Sequence, residues 1–223
     1  MSNLFITATD TDAGKTFVAT ALVKALTNIG KTVAVYKPIS AGCDIIEGKL
    51  VNEDAFLLQQ VANSDQSITV INPIAFKEPI APHIAAQKSG TSITVSNVIE
   101  HYKNVTSLKA DITITEGAGG WRLPLGDGQF LSDFVKQSNQ QVILVVNMKL
   151  GCLNHAVLTY ESILADGLEC VGWVANAFEG MNYLEENITE LSSLLRVPML
   201  AHLGNEKTVE DAADKFNLSV LPL

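Results

Sequence analysis

The chain has 223 residues, 47% of them hydrophobic and 17% charged, with a mean hydropathy of +0.22; this is enough apolar material for one domain around a sizeable core, and too much for a disordered chain. Lys and Arg number 15 against 24 Asp and Glu, a net charge of −9. That balance argues against broad binding to nucleic acid or to an anionic membrane, while leaving room for a locally basic pocket.

In chain order, residues 3–7 read as a strand. Residues 14–28 read as a helix, with Val18, Leu22, Ala25 and Leu26 at helical spacing and Gly30 as its stop. A second strand is expected over 32–36, and a helix over 52–62 with Ala55, Leu58 and Ala62 on one face. Residues 68–90 hold Pro73, Pro79 and Pro82 and read as a long loop, a feature that in compact domains is usually functional. Strands are expected over 112–115 and 142–146, then a helix over 153–165 that runs out at Asp166-Gly167. Further strands are expected over 171–175, 199–200 and 218–220. Short apolar strands separated by helices indicate an α/β fold with a parallel sheet covered on both faces. No repeat or linker interrupts it, so residues 1–223 read as one domain.

The apolar run over 142–146 is far too short to cross a bilayer. The first ten residues have neither a basic region nor a long apolar stretch, and are not expected to be a signal peptide. Cys43, Cys152 and Cys170 are widely spaced, with no CxxC motif, which fits a reducing, cytoplasmic setting.

The sharpest feature is Ala8-Thr9-Asp10-Thr11-Asp12-Ala13-Gly14-Lys15-Thr16, between the first strand and the first helix. A loop there can aim backbone N–H groups and the positive end of a helix at a phosphate. Gly14 permits close backbone approach, Lys15 can reach the β and γ phosphates, and the Thr16 hydroxyl can ligate Mg²⁺. The general pattern has a glycine where Thr9 stands. The competing reading is an ordinary helix start capped by Asp10, Thr11 or Asp12, with Lys15 exposed.

Lys37 follows the second strand and is expected on the same rim as Lys15, since ligands of open parallel sheets sit beyond the carboxyl ends of strands. Its alternative is a solvated lysine. Glu116 ends the 112–115 strand and opens Glu116-Gly117-Ala118-Gly119-Gly120; a carboxylate there can hold Mg²⁺ or orient a nucleophile. Asp54 could add a third oxygen, or simply be an acid favoured by its helix dipole.

These residues carry a resemblance. Thr9 to Thr16, Tyr36-Lys37-Pro38, Asn52-Glu53-Asp54, Asn72-Pro73, Glu78-Pro79-Ile80-Ala81-Pro82-His83, Glu116 to Trp121, Lys149 to Ala156 and Gly172-Trp173-Val174-Ala175-Asn176 occur in this order over most of the chain. The set resembles the dethiobiotin synthetases. The resemblance implies a P-loop NTPase-like, doubly wound, mostly parallel sheet with helices on both faces. It implies a reaction in which 7,8-diaminononanoate takes up CO₂ as a carbamate, ATP phosphorylates the carbamate, and the second amine closes a cyclic urea.

The implied roles are these. Lys15 and Lys37 act in catalysis. Thr11, Asp12, Ala13, Gly14, Lys15, Thr16, Glu116 and Gly119 bind ATP, and Asn176 reads the adenine. Thr16, Asp54 and Glu116 hold Mg²⁺. Lys37, Pro82, Leu150, Gly151, Cys152, Leu153 and Asn154 bind the substrate, the last five from the partner subunit of a homodimer. His155 is also open to a packing role, Cys152 reads as a small buried filler, and Trp121 and Trp173 read as packing residues.

Three positions depart from the family. Ala8 replaces a usual glycine, which strains the loop if φ is positive there and is harmless if the position is still strand. Ala41 replaces a usual hydroxyl residue, with Ser40 beside it. Residues 201–206 read Ala-His-Leu-Gly-Asn-Glu where a Leu-Pro segment is usual. A second class of function is a nucleotide-controlled switch like the partition and cell-division-site ATPases; the net acidic stretch 206–223 offers no anionic-lipid anchor for one. A third is a related ATP-using, amide-forming enzyme with another carboxylate substrate.

Overall fold

The computed structural model describes residues 1–222. Its centre is a six-stranded sheet of β1 (Ser2–Ala8), β2 (Val33–Tyr36), β3 (Ile112–Glu116), β4 (Gln141–Asn147), β5 (Cys170–Asn176) and β6 (Met199–Leu203). The order across the sheet is β6-β5-β4-β1-β3-β2, and every neighbouring pair is parallel. From β1 the chain moves out to β2, returns to β3, then crosses β1 to build β4, β5 and β6. The reversal brings the carboxyl ends of β1 and β3 side by side, with Ile6 in register with Glu116. Crevices at such reversals are where open α/β sheets bind ligands.

The strands have near-continuous apolar runs because both faces are covered. Leu4, Ile6 and Ala8 of β1 and Ile143 and Val145 of β4 face one core. Its other wall includes Val18, Leu22 and Leu26 of α1 (Lys15–Asn28), Ala55 and Leu58 of α2 (Glu53–Val61), and Ile71 of α3 (Ile68–Ile71). Phe5, Val142, Leu144 and Trp173 face the opposite core. Ala86 of α4 (Pro82–Lys88) joins it, with α5 (Val95–Thr106), α6 (Leu131–Gln137), α7 (Cys152–Ala165) and α8 (Leu184–Leu194). The short α9 (Val209–Ala213) packs on the α1 side.

Two expectations need correction. Residues 68–90 are not one long loop: they hold α3, the pair Ile74–Ala75 with Ile39–Ser40, and α4. Pro82 sits in the first turn of α4, where its missing N–H costs nothing, so the proline that suggested a loop starts a helix. Residues 218–220 are not a strand but a 3₁₀ turn, because the Asn217 side chain accepts from Ser219 N (3.3 Å) and Ser219 Oγ (2.6 Å) and curls the chain. Among the described residues, no helix is long and apolar enough to cross a membrane.

Candidate active site

The phosphate loop turns from β1 into α1 through two left-handed residues, Asp12 (φ 58°) and Gly14 (φ 80°). Ala8 is the last, buried residue of β1 and is not among the residues with positive φ, so it brings no strain. A side chain cannot replace the hydrogen on Gly14 without meeting Asn176, because a Cβ there would lie 2.1 Å from Asn176 Nδ2. That amide comes from the carboxyl end of β5 and donates to Ala13 O at 2.8 Å, while its buried Oδ1 has no partner. The loop is therefore pinned from beneath.

Lys15 is buried, 8% exposed, and its Nζ donates to Asp10 O at 3.3 Å. This excludes an exposed lysine after an ordinary helix cap. Burial, followed by the neighbouring Lys37, lowers its pKa from 10.5 to about 8 against the opposing pull of Glu116, Asp54 and Asp12.

Lys37 extends from the end of β2 and is 3% exposed, so it is no solvated lysine. Its Nζ donates to Glu116 Oε1 at 2.5 Å and to Gly117 O at 3.3 Å, and pairs with Asp54 Oδ2 at 3.1 Å. Burial works against its charge, but Glu116 and Asp54 outweigh it and hold its pKa above the ordinary lysine value. Burial likewise opposes ionisation of Asp54, and Lys37, Thr16 and Lys15 overcome it, so its pKa lies below the ordinary value. Thr16 Oγ1 donates to Glu116 Oε1 at 2.9 Å. Glu116 is fully buried, and its Oε2 has no partner.

Thr11, Asp12, Gly14, Lys15, Thr16, Lys37, Asp54, Pro82, Glu116 and Gly119 thus line one cavity of about 950 Å³. Sequence reasoning gave no site role to several of its walls: Ile39 and Leu123, and Asn52, Pro79, Ile80 and Ala81, which it had met only within the blocks of the resemblance. Asn52 caps α2 by accepting from Ala55 N at 3.3 Å, which sets the position of Asp54. It also missed the role of Asn72, whose Nδ2 donates to Lys37 O at 2.7 Å and whose Oδ1 accepts from Ser40 Oγ at 2.7 Å. Ser40 therefore spends its hydroxyl on Asn72 and does not replace the one absent from Ala41. The Asn-Pro pair closing the apolar run 68–71 was the available signal.

Other expected residues lie elsewhere. Ala13 is buried under the loop and Asn176 beneath it. Leu150, Gly151 and Asn154 are exposed at the start of α7, Leu150 almost wholly, and neither they nor Cys152 or Leu153 line this chain's cavity. Cys152 is buried, and that burial raises its thiol pKa, as suits a core filler. Trp121 packs its edge on Phe5 and donates from Nε1 to Asp166 Oδ2 at 2.9 Å. At the far end, Gly204 N donates to Glu206 Oε2 at 2.6 Å and Ala177 N to Leu203 O at 2.6 Å.

A loop turning from a strand into a helix, with two buried lysines beside Asp54 and Glu116 at the carboxyl edge of a parallel sheet, is the arrangement of an ATP-using enzyme of the P-loop class. Residues 2–213 match the family model described as an AAA domain. A protein of Alteromonas mediterranea named ATP-dependent dethiobiotin synthetase BioD is 45% identical over 221 residues, covering 94% of this chain and 95% of that protein. Proteins of the same name from Aeromonas salmonicida and Pseudomonas aeruginosa are 43% and 39% identical, each over 224 residues, covering all of this chain and 99% and 98% of theirs. The chain belongs to the dethiobiotin synthetase family, and is an ATP-dependent ligase. The solved structures of the cell division protein FtsY from Thermotoga maritima and of the signal recognition particle receptor FtsY from Elizabethkingia anophelis superpose with a TM-score of 0.51 each. They are 15% and 16% identical; the superpositions cover 94% and 96% of this chain but 63% and 65% of theirs, so the likeness is one of fold.

Proposed function

We propose that this chain converts 7,8-diaminononanoate, CO₂ and ATP into dethiobiotin, ADP and phosphate. The observation that carries the reading is the convergence of Lys15, Lys37, Thr16, Asp54 and Glu116 on one cavity. One substrate amine attacks CO₂, forming a C–N bond and losing a proton, to give a carbamate. A carbamate oxygen takes the γ-phosphoryl group as the bond to ADP breaks, giving a mixed anhydride. The second amine attacks the same carbonyl and expels phosphate, a far better leaving group than hydroxide, and the cyclic urea closes.

In this reading the amides between Thr11 and Thr16 cradle the phosphates. Lys15 and Lys37 offset the charge that develops on the transferring group. Pro82, with Ile80 and Ala81, walls the diamine side. The oxygen donors Thr16, Asp54 and Glu116 suit a hard cation such as Mg²⁺, and the unpartnered buried Oε2 of Glu116 supports that fit. Held by these residues, Mg²⁺ would supply Lewis-acid neutralisation of phosphate charge. The Asn176 amide is assigned to the adenine, its unpartnered Oδ1 supporting the assignment. The Leu150 to Asn154 block, exposed at Leu150, Gly151 and Asn154, opens a helix, which suits an anionic tail, and we assign it to the substrate carboxylate of a second copy in a homodimer. We place the enzyme in the cytoplasm as one domain, in keeping with three free thiols, Cys43, Cys152 and Cys170.

The test is phosphate release from ATP with Mg²⁺ and bicarbonate, with and without the diamine. Release that depends on the diamine, with a product heavier by one carbonyl and lighter by two hydrogens, is expected. Slow hydrolysis indifferent to the diamine would overturn the reading and favour a switch or a ligase with another substrate.

A further inference from the structure

Each of the two carboxylates that a divalent cation would use already has one oxygen engaged by an ammonium, while Glu116 Oε2 has no partner. Lys37 Nζ touches Glu116 Oε1 at 2.5 Å and Asp54 Oδ2 at 3.1 Å, and the same Glu116 oxygen accepts from Thr16 Oγ1 at 2.9 Å. Lys37 is buried and Glu116 fully so. A buried carboxylate next to a second one requires a cation, and one side chain of this chain already supplies it. The backbone of Lys37 is fixed, its N–H bonded to Ile71 O at 2.8 Å and its carbonyl to Asn72 Nδ2 at 2.7 Å. Its four-carbon stem is flexible, and the side chain borders the cavity.

We propose that Lys37 is an internal counter-ion that competes with the divalent cation for Asp54 and Glu116, so that loading of the metal site releases its ammonium into the cavity. The inference rests on the reading that Thr16, Asp54 and Glu116 hold the metal. A dication on these two carboxylates would lie beside the ammonium and repel it, so that occupancy by one disfavours the other. The lysine that would steady a transferring phosphoryl group thereby becomes free only once the metal is in place. Asn72 and Ile71 act as the fixed pivot, which confines the change to the side chain.

The test uses the full chain without nucleotide and Mn²⁺ as the probe, with free Mn²⁺ counted by electron paramagnetic resonance. Lys37→Met, which keeps the stem and removes the charge, should bind Mn²⁺ roughly tenfold or more tightly than wild type. The double variant Lys37→Met/Glu116→Gln should lose that gain. Equal or weaker binding by Lys37→Met overturns the competition. Failure of the metal-site reading itself has a different signature: Glu116→Gln alone would bind Mn²⁺ with ATP as well as wild type. Should Lys37→Met fold poorly, the wild-type protein still decides. The Lys37 side-chain nuclear magnetic resonance signal, identified by its loss in Lys37→Arg, should shift as Mg²⁺ saturates, and a signal that stays put at saturation overturns the proposal.

Discussion

Gly14→Ala should cost stability through two separable effects. The first is backbone strain, since Gly14 sits at φ 80°, where a β-carbon costs about 1–2 kcal/mol. The second is a collision with Asn176 Nδ2, 2.1 Å from the new carbon. Asn176 is buried at the end of β5, and its amide escapes only by giving up the 2.8 Å bond to Ala13 O. Leaving that buried donor and acceptor unpaired costs about 1–3 kcal/mol more. The total is about 2–5 kcal/mol, a large share of the stability of an ordinary domain. Urea unfolding followed by the fluorescence of the buried Trp121 and Trp173 measures it. In an Asn176→Ala background the collision is gone, so Gly14→Ala should cost only the strain, and the cycle should show a coupling of about 1–3 kcal/mol. A coupling below about 0.5 kcal/mol would refute the claim that Asn176 pins the loop.

Lys15→Ala should lower diamine-dependent phosphate release by roughly 10²–10³-fold in steady-state assays, because the buried cation proposed to offset charge on the transferring group is lost; near-wild-type turnover would remove Lys15 from the mechanism. In Gly117→Ala a Cβ would lie 2.8 Å from Phe5 Cζ and 3.3 Å from Ile6 O, directly after Glu116. Overpacking of about 1–3 kcal/mol should appear in urea unfolding, with turnover falling as Glu116 shifts. For Asp166, burial favours the neutral acid, but Arg122, Trp121 and Lys136 outweigh it and depress its pKa. A depressed carboxyl contributes stability above its unfolded pKa, about 3.9, and loses it as pH falls through the lower folded value. Asp166→Asn should therefore be clearly less stable than wild type at pH 7 in urea unfolding, and the gap should close on acidification below pH ~4; a gap independent of pH would rule out the charge as its cause.

The phosphate loop was legible because its signals are local: an apolar strand, Gly14-Lys15-Thr16 and a helix, all within some twenty residues. The edges of β1, β4, β5 and α7 came within a residue or two for the same reason, since each is bounded by polar or glycine residues. The meeting of Lys37, Asp54 and Glu116 was not legible from spacing, because Lys37 and Glu116 lie 79 positions apart and touch only once β3 inserts between β1 and β2. The strand-end rule put Lys37 and Glu116 near the phosphate loop, with Asp54 as a third oxygen, but did not pair them, and neither it nor the resemblance assigned Asn72 a part in holding the Lys37 backbone. Helix α5 went unread although Thr94 caps it and Val95, Val98, Tyr102 and Val105 repeat at helical spacing. Residues 68–90 misled for a physical reason: proline marks a helix start as readily as a loop, and only the burial of Ala85 and Ala86 distinguishes the two.

The superposition on two FtsY structures at 15% and 16% identity shows how little the sheet alone says about chemistry. The chemistry-bearing groups of this chain lie at the ends of β2 and β3 and at the starts of α1 and α2, and their balance is one of charge. Two lysines and three carboxylates, Asp12, Asp54 and Glu116, line the cavity, one negative charge in excess. The whole chain is negative as well, at −9. Neither the local nor the overall field attracts a polyanionic nucleotide on its own. The loop amides and the amino end of α1 contribute partial positive charge, but over only the first turn. On the proposed metal site, a divalent cation held by Asp54 and Glu116 would reverse that balance. The carboxylates would then act as ligands instead of repelling groups, and Lys15 and Lys37 would be left unopposed. On that proposal, an acidic chain would take up ATP at this site because the nucleotide's counter-ion is part of what it recognises.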